Sequence, residues 1–89
     1  MEPERWKNFT KRQQLLTIGA ELMRAKTWQN RDKDKFLPAL ERALELIDLT
    51  LSDPKWKDSL LMILRLREEI AKFYVEKRTD DISALYRAL

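Results

Sequence analysis

The sequence predicts an all-α fold, and three observations lead to that class. The chain of 89 residues contains a single glycine, and it has no Asn-Gly or Asp-Gly turn that could join two strands in a hairpin. Apolar residues recur with a helical period along nearly the whole chain, without strict apolar–polar alternation. A chain of 89 residues is long enough for one domain, which we expect over residues 1–89. Loops of a few residues force neighbouring helices to lie antiparallel. The predicted architecture of this domain is an up-down-up antiparallel three-helix bundle plus a short C-terminal fourth helix.

The first helix is predicted from about Pro3 to Trp28, since proline suits the first helical position. Its apolar residues form two neighbouring lines, one with Leu15, Ile18, Leu22 and Ala25 and the other with Phe9, Leu16, Ala20 and Met23. Thr10 and Gln13 also match a capping box, which predicts a helix that begins near Thr10 after a short first turn. The sequence leaves both starts open.

The second helix follows a loop over residues 29–34 and extends to about Leu51, with Pro38 in or near its first turn. The clearest boundary in the chain comes next, because Asp53 can cap a new helix and Pro54 can occupy its first position.

The third helix is then predicted to end at about Lys77. Thr79 can cap a short fourth helix. The apolar face of that helix consists of Ile82, Leu85, Tyr86 and Leu89.

The composition narrows the possible chemistry. Cysteine and histidine are both missing, so thiol nucleophiles, zinc thiolates and histidine bases are excluded, and no cofactor is expected. The N-terminal stretch lacks the apolar core of a signal peptide, and the longest apolar run, Leu60 to Leu64, is too short to span a bilayer. We therefore expect a cytoplasmic protein without membrane contact. Its formal charge of +3 is compatible with nucleic acid without requiring it.

The second and third helices are apolar on two sides, which is more apolar surface than a three-helix bundle covers. The excess predicts a two-fold homodimer, and a separate protein partner is also possible. The alternative is that scattered surface leucines need no explanation. The predicted interface consists of Leu46, Leu49, Met62, Leu66 and Phe73.

Two arginines fall at apolar positions of their helices, Arg12 in the first and Arg67 in the third. A buried guanidinium needs a carboxylate or an anionic ligand, since an isolated charge is costly to desolvate. One interpretation is therefore that Arg12 and Arg67 together bind an anion such as phosphate. The other interpretation is that each pairs with a carboxylate or extends its charged group to the bundle edge.

Three carboxylates, Glu41, Glu45 and Asp48, share one stripe of the second helix, and such a stripe could bind Mg²⁺. The four-residue segment Glu45-x-x-Asp48 resembles half of the motif of the all-helical nucleotide pyrophosphatases, the MazG-like group. That resemblance implies a Mg²⁺-dependent nucleotide pyrophosphatase. The other half of the motif, a Glu-x-x-Glu on the preceding helix, is missing, since the interior of that helix offers only Glu21. The simpler interpretation is a solvated face paired with neighbouring cations.

A basic segment lies near the N-terminus, where Arg5, Lys7, Lys11 and Arg12 are interleaved with aromatic residues. Such a pattern can follow phosphates and stack on bases, which makes nucleic acid a possible partner. The alternative is an amphipathic helix end in which Trp6 and Phe9 continue the stripe of Leu16 and Met23 into the core.

These patterns favour a small helical interaction and oligomerisation module that acts by packing, without enzymatic activity. An anion- or nucleic-acid-binding protein is the second hypothesis, and a pyrophosphatase-like enzyme is the third.

Overall fold

The computed structural model describes residues 2–75, 82, 84 and 85. Its elements, in chain order, are α1 (Pro3–Lys7), α2 (Lys11–Trp28), α3 (Lys33–Leu51), a 3₁₀ helix (Pro54–Ser59) and α4 (Leu60–Val75). The predicted all-α class and helical-bundle architecture are confirmed, and none of the described residues is in a strand.

The first predicted helix is divided in two at Thr10, as the second of the two possible starts anticipated. The Thr10 hydroxyl accepts a hydrogen bond from the Gln13 amide, and the Gln13 side chain accepts one from the Thr10 amide. This reciprocal capping box satisfies amides that an unbroken helix would have paired internally. A continuous helix from Pro3 to Trp28 is therefore wrong.

The helical segment after Asp53 begins as predicted, but its first turns are 3₁₀ instead of α-helical. Asp53 caps the segment by accepting a hydrogen bond from the Lys55 amide, and Pro54 is its first residue. The chain first forms the tighter 3₁₀ helix and becomes α-helical at Leu60. The predicted end at Lys77 and most of the predicted fourth helix, with Thr79, Tyr86 and Leu89, lie outside the described residues.

α3 is the central helix, because the two most extensive helix contacts join it to α2 and to α4. Hydrogen bonds fix the antiparallel direction of α4: Tyr74, late in α4, reaches Glu41 in the middle of α3, while the earlier Arg67 reaches Asp48 near the end of α3. The three long helices therefore run up, down and up. The core between them consists mainly of Ile18, Leu22, Ala25, Leu40, Ala43, Ile47, Ile63 and Ile70.

Large side chains from outside the three long helices complete this core. Trp6 of α1, Trp56 of the 3₁₀ helix and Ile82 of the C-terminal segment are all buried in it. Leu85 packs against the same cluster. Apolar faces of α3 and α4 that three helices alone would leave open are partly covered as a result.

Of the two apolar lines predicted for the first helix, the one through Phe9 is wrong for three of its four members. Leu16, Ala20 and Met23 are exposed, and only Phe9 packs against the core. The other predicted line is confirmed, since Ile18, Leu22 and Ala25 are buried and Leu15 packs against the core, and Gln14 extends the buried side of α2 by one turn. None of the helices in the described part of the chain combines the length and apolarity that a bilayer crossing requires.

Candidate functional site

An exposed apolar surface lies at the start of α4, and we call it the α4 patch and define it as Leu60, Leu61 and Leu64. The exposed fractions of these leucines are 38%, 62% and 49%. Leu61 and Leu64 are three residues apart, so they project from the same side of the helix. Ile63, between them in sequence, is fully buried and anchors α4 in the core. The patch is thus the outer side of a firmly packed helix.

The predicted interface residues are mostly elsewhere. Leu46 and Phe73 are buried in the core, and Leu49 and Leu66 are partly buried against it. Only Met62 is widely exposed, at 52%. The expectation that Leu46 and Phe73 lie on a free face is wrong, because Trp6, Trp56 and Ile82 enlarge the core beyond three helices.

The two arginines predicted at apolar positions are not buried. Arg12 is exposed in the first turn of α2. The Arg67 side chain is 43% exposed, and its Nε donates to Asp48 Oδ1 at 2.8 Å. This hydrogen bond, followed by the charge of Asp48, raises the pKa of Arg67. Of the two interpretations, pairing with a carboxylate matches Arg67, while anion binding by Arg12 and Arg67 stays a prediction.

The acidic stripe lies on the exposed side of α3 and is partly engaged by α4. Asp48 pairs with Arg67, and Glu41 accepts a hydrogen bond of 2.7 Å from the Tyr74 hydroxyl, which raises the pKa of Tyr74. Glu45, between them, is exposed. Across residues 2–75, 82, 84 and 85, no three acidic side chains form a group that could hold a metal ion. The stripe therefore joins α3 to α4 along their outer edge.

Glu21, the one acid inside α2, is largely shielded from solvent, with 14% of its side chain exposed. Its Oε1 accepts from Arg24 at 3.2 Å. Its Oε2 is buried and has no hydrogen-bond partner among the described residues. The carboxylate therefore carries a desolvation cost that Arg24 offsets only in part.

The basic N-terminal segment presents cations without the aromatic faces that base stacking needs. Arg5, Lys7, Lys11 and Arg12 are exposed, whereas Trp6 is fully buried and Phe9 is partly buried against the core. The alternative prediction is right that Trp6 and Phe9 pack in or against the core, and wrong that they continue the Leu16 and Met23 stripe, because both of those residues are exposed. The Lys11 ammonium lies 5.1 Å from the centre of the buried Trp56 ring. Nucleic-acid binding by these four basic residues stays a prediction.

A buried polar cluster that the sequence did not predict lies at the end of the bundle where α1, α2, α3 and the 3₁₀ helix meet. We call it the Gln14 cluster, and it consists of Trp6, Gln14, Thr50, Asp53, Lys55 and Trp56. The Gln14 amide nitrogen donates to the Trp6 carbonyl at 2.9 Å and to Asp53 Oδ2 at 3.0 Å, while its oxygen accepts from the Trp56 indole. One fully buried side chain therefore links α1, α2 and the segment that precedes α4.

The rest of the Gln14 cluster is equally well paired. The Trp6 indole donates to the Thr50 hydroxyl at 3.0 Å, and that hydroxyl donates to the Leu46 carbonyl at 2.8 Å. The Lys55 ammonium bridges Asp53 Oδ2 and the Lys7 carbonyl, each at 2.8 Å. Because each of these side chains has a partner, the cluster is an anchor between elements, with no polar group left open for a ligand.

Asp53 is the titratable centre of this cluster. Burial on its own raises the pKa of Asp53, but hydrogen bonds from Lys55 and Gln14 outweigh it and lower the pKa to about 2. The carboxylate therefore stays ionised under ordinary conditions. The sequence did contain a signal for this cluster, because Gln14 stands four residues before Ile18 and so shares the side of the helix on which the predicted apolar line lies.

The chain matches no protein-family model, no curated protein and no solved structure. The function must therefore be argued from the surfaces described above.

Proposed function

We propose that this protein is a small helical interaction module that forms a homodimer through the α4 patch. The observation that supports this is the exposure of Leu60, Leu61 and Leu64 together at the start of one helix. Contiguous apolar surface of this kind marks protein contact sites, because covering it removes apolar area from water. The mechanism is packing without bond chemistry, and a cytoplasmic location remains part of the proposal.

The other two hypotheses have less support. Base stacking by the N-terminal segment would need a ring that Trp6 keeps in the core. A Mg²⁺ enzyme on α3 would need carboxylates that are instead engaged by Arg67 and Tyr74. Neither arrangement favours a second candidate function.

The test is size-exclusion chromatography with light scattering over a concentration series. We expect a wild-type dimer, and we expect the double variant Leu61→Glu with Leu64→Glu to be a monomer with an unchanged helical circular dichroism spectrum. The matched control is Leu16→Glu with Met23→Glu, which places the same charges on the other exposed apolar line, on α2. This control should remain a dimer.

Three outcomes would overturn the proposal. A wild-type protein that stays monomeric at about millimolar concentration, where even weak specific dimers form, removes self-association. Dissociation by the α2 control alone moves the interface away from α4. A 260 nm absorbance that co-elutes with the protein and disappears with added salt favours the basic segment and nucleic acid.

A further inference from the structure

We infer that the occupant of the α4 patch is a second copy of this chain whose α4 runs antiparallel. In this arrangement Leu61 of each protomer packs on Leu64 of the other, and Lys57 of each faces Glu68 of the other. This inference rests on the proposed function and adds a register and a direction to it.

The first step is the spacing of the exposed residues around the patch. Lys57, Leu61, Leu64 and Glu68 follow one another at intervals of four, three and four residues. Within α4 this spacing places Leu61, Leu64 and Glu68 along one side of the helix, and it is the seam spacing of paired helices. For Lys57 it gives the position along the axis, one turn before Leu61, because 3₁₀ residues do not follow the α-helical period. All four residues are exposed, and Lys57 lies in the 3₁₀ helix that leads directly into α4. We call these four residues the α4 seam.

The second step is the symmetry of the α4 seam. Lys57 stands four residues before Leu61, and Glu68 stands four residues after Leu64. A two-fold axis between the two leucines therefore brings each lysine opposite the partner's glutamate when the helices run antiparallel. A parallel pairing in register would place lysine against lysine and glutamate against glutamate. Charge complementarity therefore favours the antiparallel direction.

A second charge pair agrees with the same register. Asp58 and Arg65 flank the α4 seam, and both are exposed. In an antiparallel helix pair centred between Leu61 and Leu64, Asp58 of one chain lies beside Arg65 of the other. Within the described part of the chain, none of the four charged side chains of these two pairs, Lys57 with Glu68 and Asp58 with Arg65, forms an ion pair or a hydrogen bond with another side chain. Their charges are therefore available to a partner.

The exposed apolar line on α2 lacks this complementarity. The exposed charged residues beside Leu16 and Met23 on α2 are Arg12, Arg24 and Lys26, which are all basic, and Arg24 is paired with the largely shielded Glu21. Two copies meeting there would bring like charges together, which opposes association. Self-association by α4 is therefore favoured over self-association by α2.

The experiment reverses one charge of the α4 seam at a time. Lys57→Glu alone and Glu68→Lys alone each replace two attractive contacts per dimer by two repulsive ones. We expect each to raise the dimer dissociation constant about tenfold at low salt, as two solvent-exposed pairs would give. The matched controls, Lys26→Glu and Glu45→Lys, change the same charges at exposed positions off the seam and should leave the constant unchanged.

Two combinations make the test decisive. The double variant Lys57→Glu with Glu68→Lys restores both pairs and should dimerise as the wild type does. The two single variants, mixed in equal amounts, should form heterodimers in preference to either homodimer, and mass-tagged chains and native mass spectrometry would detect this.

The possible failures are distinguishable. A monomeric wild type refutes both the proposed function and this inference. A wild-type dimer in which neither reversal weakens association, or in which the mixed variants show no preference for heterodimers, refutes the register alone. Self-association would then stand.

Discussion

The 3₁₀ helix stands between two regions of opposite character, a buried polar cluster at its start and an exposed apolar patch after its end. At its start, the Gln14 cluster buries polar groups and satisfies them inside the chain. Just after its end, the α4 patch holds leucines that the described residues leave 38% to 62% exposed. The first region is closed to further partners because its hydrogen-bonding capacity is used. The second is open because its apolar area is still in contact with water.

This difference separates residues that hold the fold from residues that are free to act on something else. Buried polar groups carry a high cost when one partner is removed, whereas exposed apolar groups contribute little to the folded chain itself. Mutations in the two regions should therefore change different measurements. The Gln14 cluster should control the free energy of unfolding, and the α4 patch should control association.

The largest effect on stability is expected for Gln14→Leu. The substitution leaves the Trp56 indole, the Trp6 carbonyl and Asp53 short of one hydrogen-bond partner each, at a cost of about 3 kcal/mol in the free energy of unfolding. Urea unfolding followed by circular dichroism measures this. The control Lys26→Leu adds a leucine to an exposed position of the same helix and should change stability by less than about 0.5 kcal/mol. Equal effects of the two variants would contradict the anchoring role of Gln14.

Acid should weaken the same cluster by a smaller amount. The pKa of Asp53 is about 2 in the folded chain against 3.8 for the ordinary group, so its ionised form stabilises the fold above about pH 4. This contribution, about 2 kcal/mol, is lost as the pH falls from about 4 to about 2. We expect the stability difference between wild type and Asp53→Asn to narrow over that interval. A stability difference between the two proteins that is constant with pH would refute the stabilising role of the ionised Asp53 carboxylate.

The smallest effect on stability is expected for Leu61→Ser. Its side chain is 62% exposed, so the free energy of unfolding of the isolated chain should change by less than about 0.5 kcal/mol. The measurement is urea unfolding at a protein concentration low enough to keep both proteins monomeric. A loss of several kcal/mol would show that Leu61 belongs to the core and would remove the contrast between the two regions.

The sequence carried enough information for the helical class and for the helical segments that begin after Thr10 and after Asp53. Thr10 with Gln13, and Asp53 with Pro54, are local signals, and both caps form as their patterns indicate. Local signals suffice there because a cap depends on side chains and amides within a few residues of each other.

The surfaces were harder to predict, because burial depends on which elements pack together. Leu16 and Leu46 have the same side chain and both lie on helical apolar lines, yet Leu16 is exposed and Leu46 is in the core. The polarity of Gln14 concealed its burial, since its three partners are 8, 39 and 42 residues away in sequence. The α4 seam was hidden for the related reason that its exposure follows from how α4 rests on α3.

The hydrogen-bonded indoles of Trp6 and Trp56 also give the protein an internal optical probe. Both rings are shielded from water at one end of the bundle, and each N–H has a fixed acceptor in the folded chain. Tryptophan emission shifts to longer wavelength when such rings meet water. Trp28, partly buried at the last residue of α2, also contributes to the emission. In a Trp28→Phe variant the emission wavelength therefore reports the opening of the end where α1 docks, independently of whether two chains have met along α4.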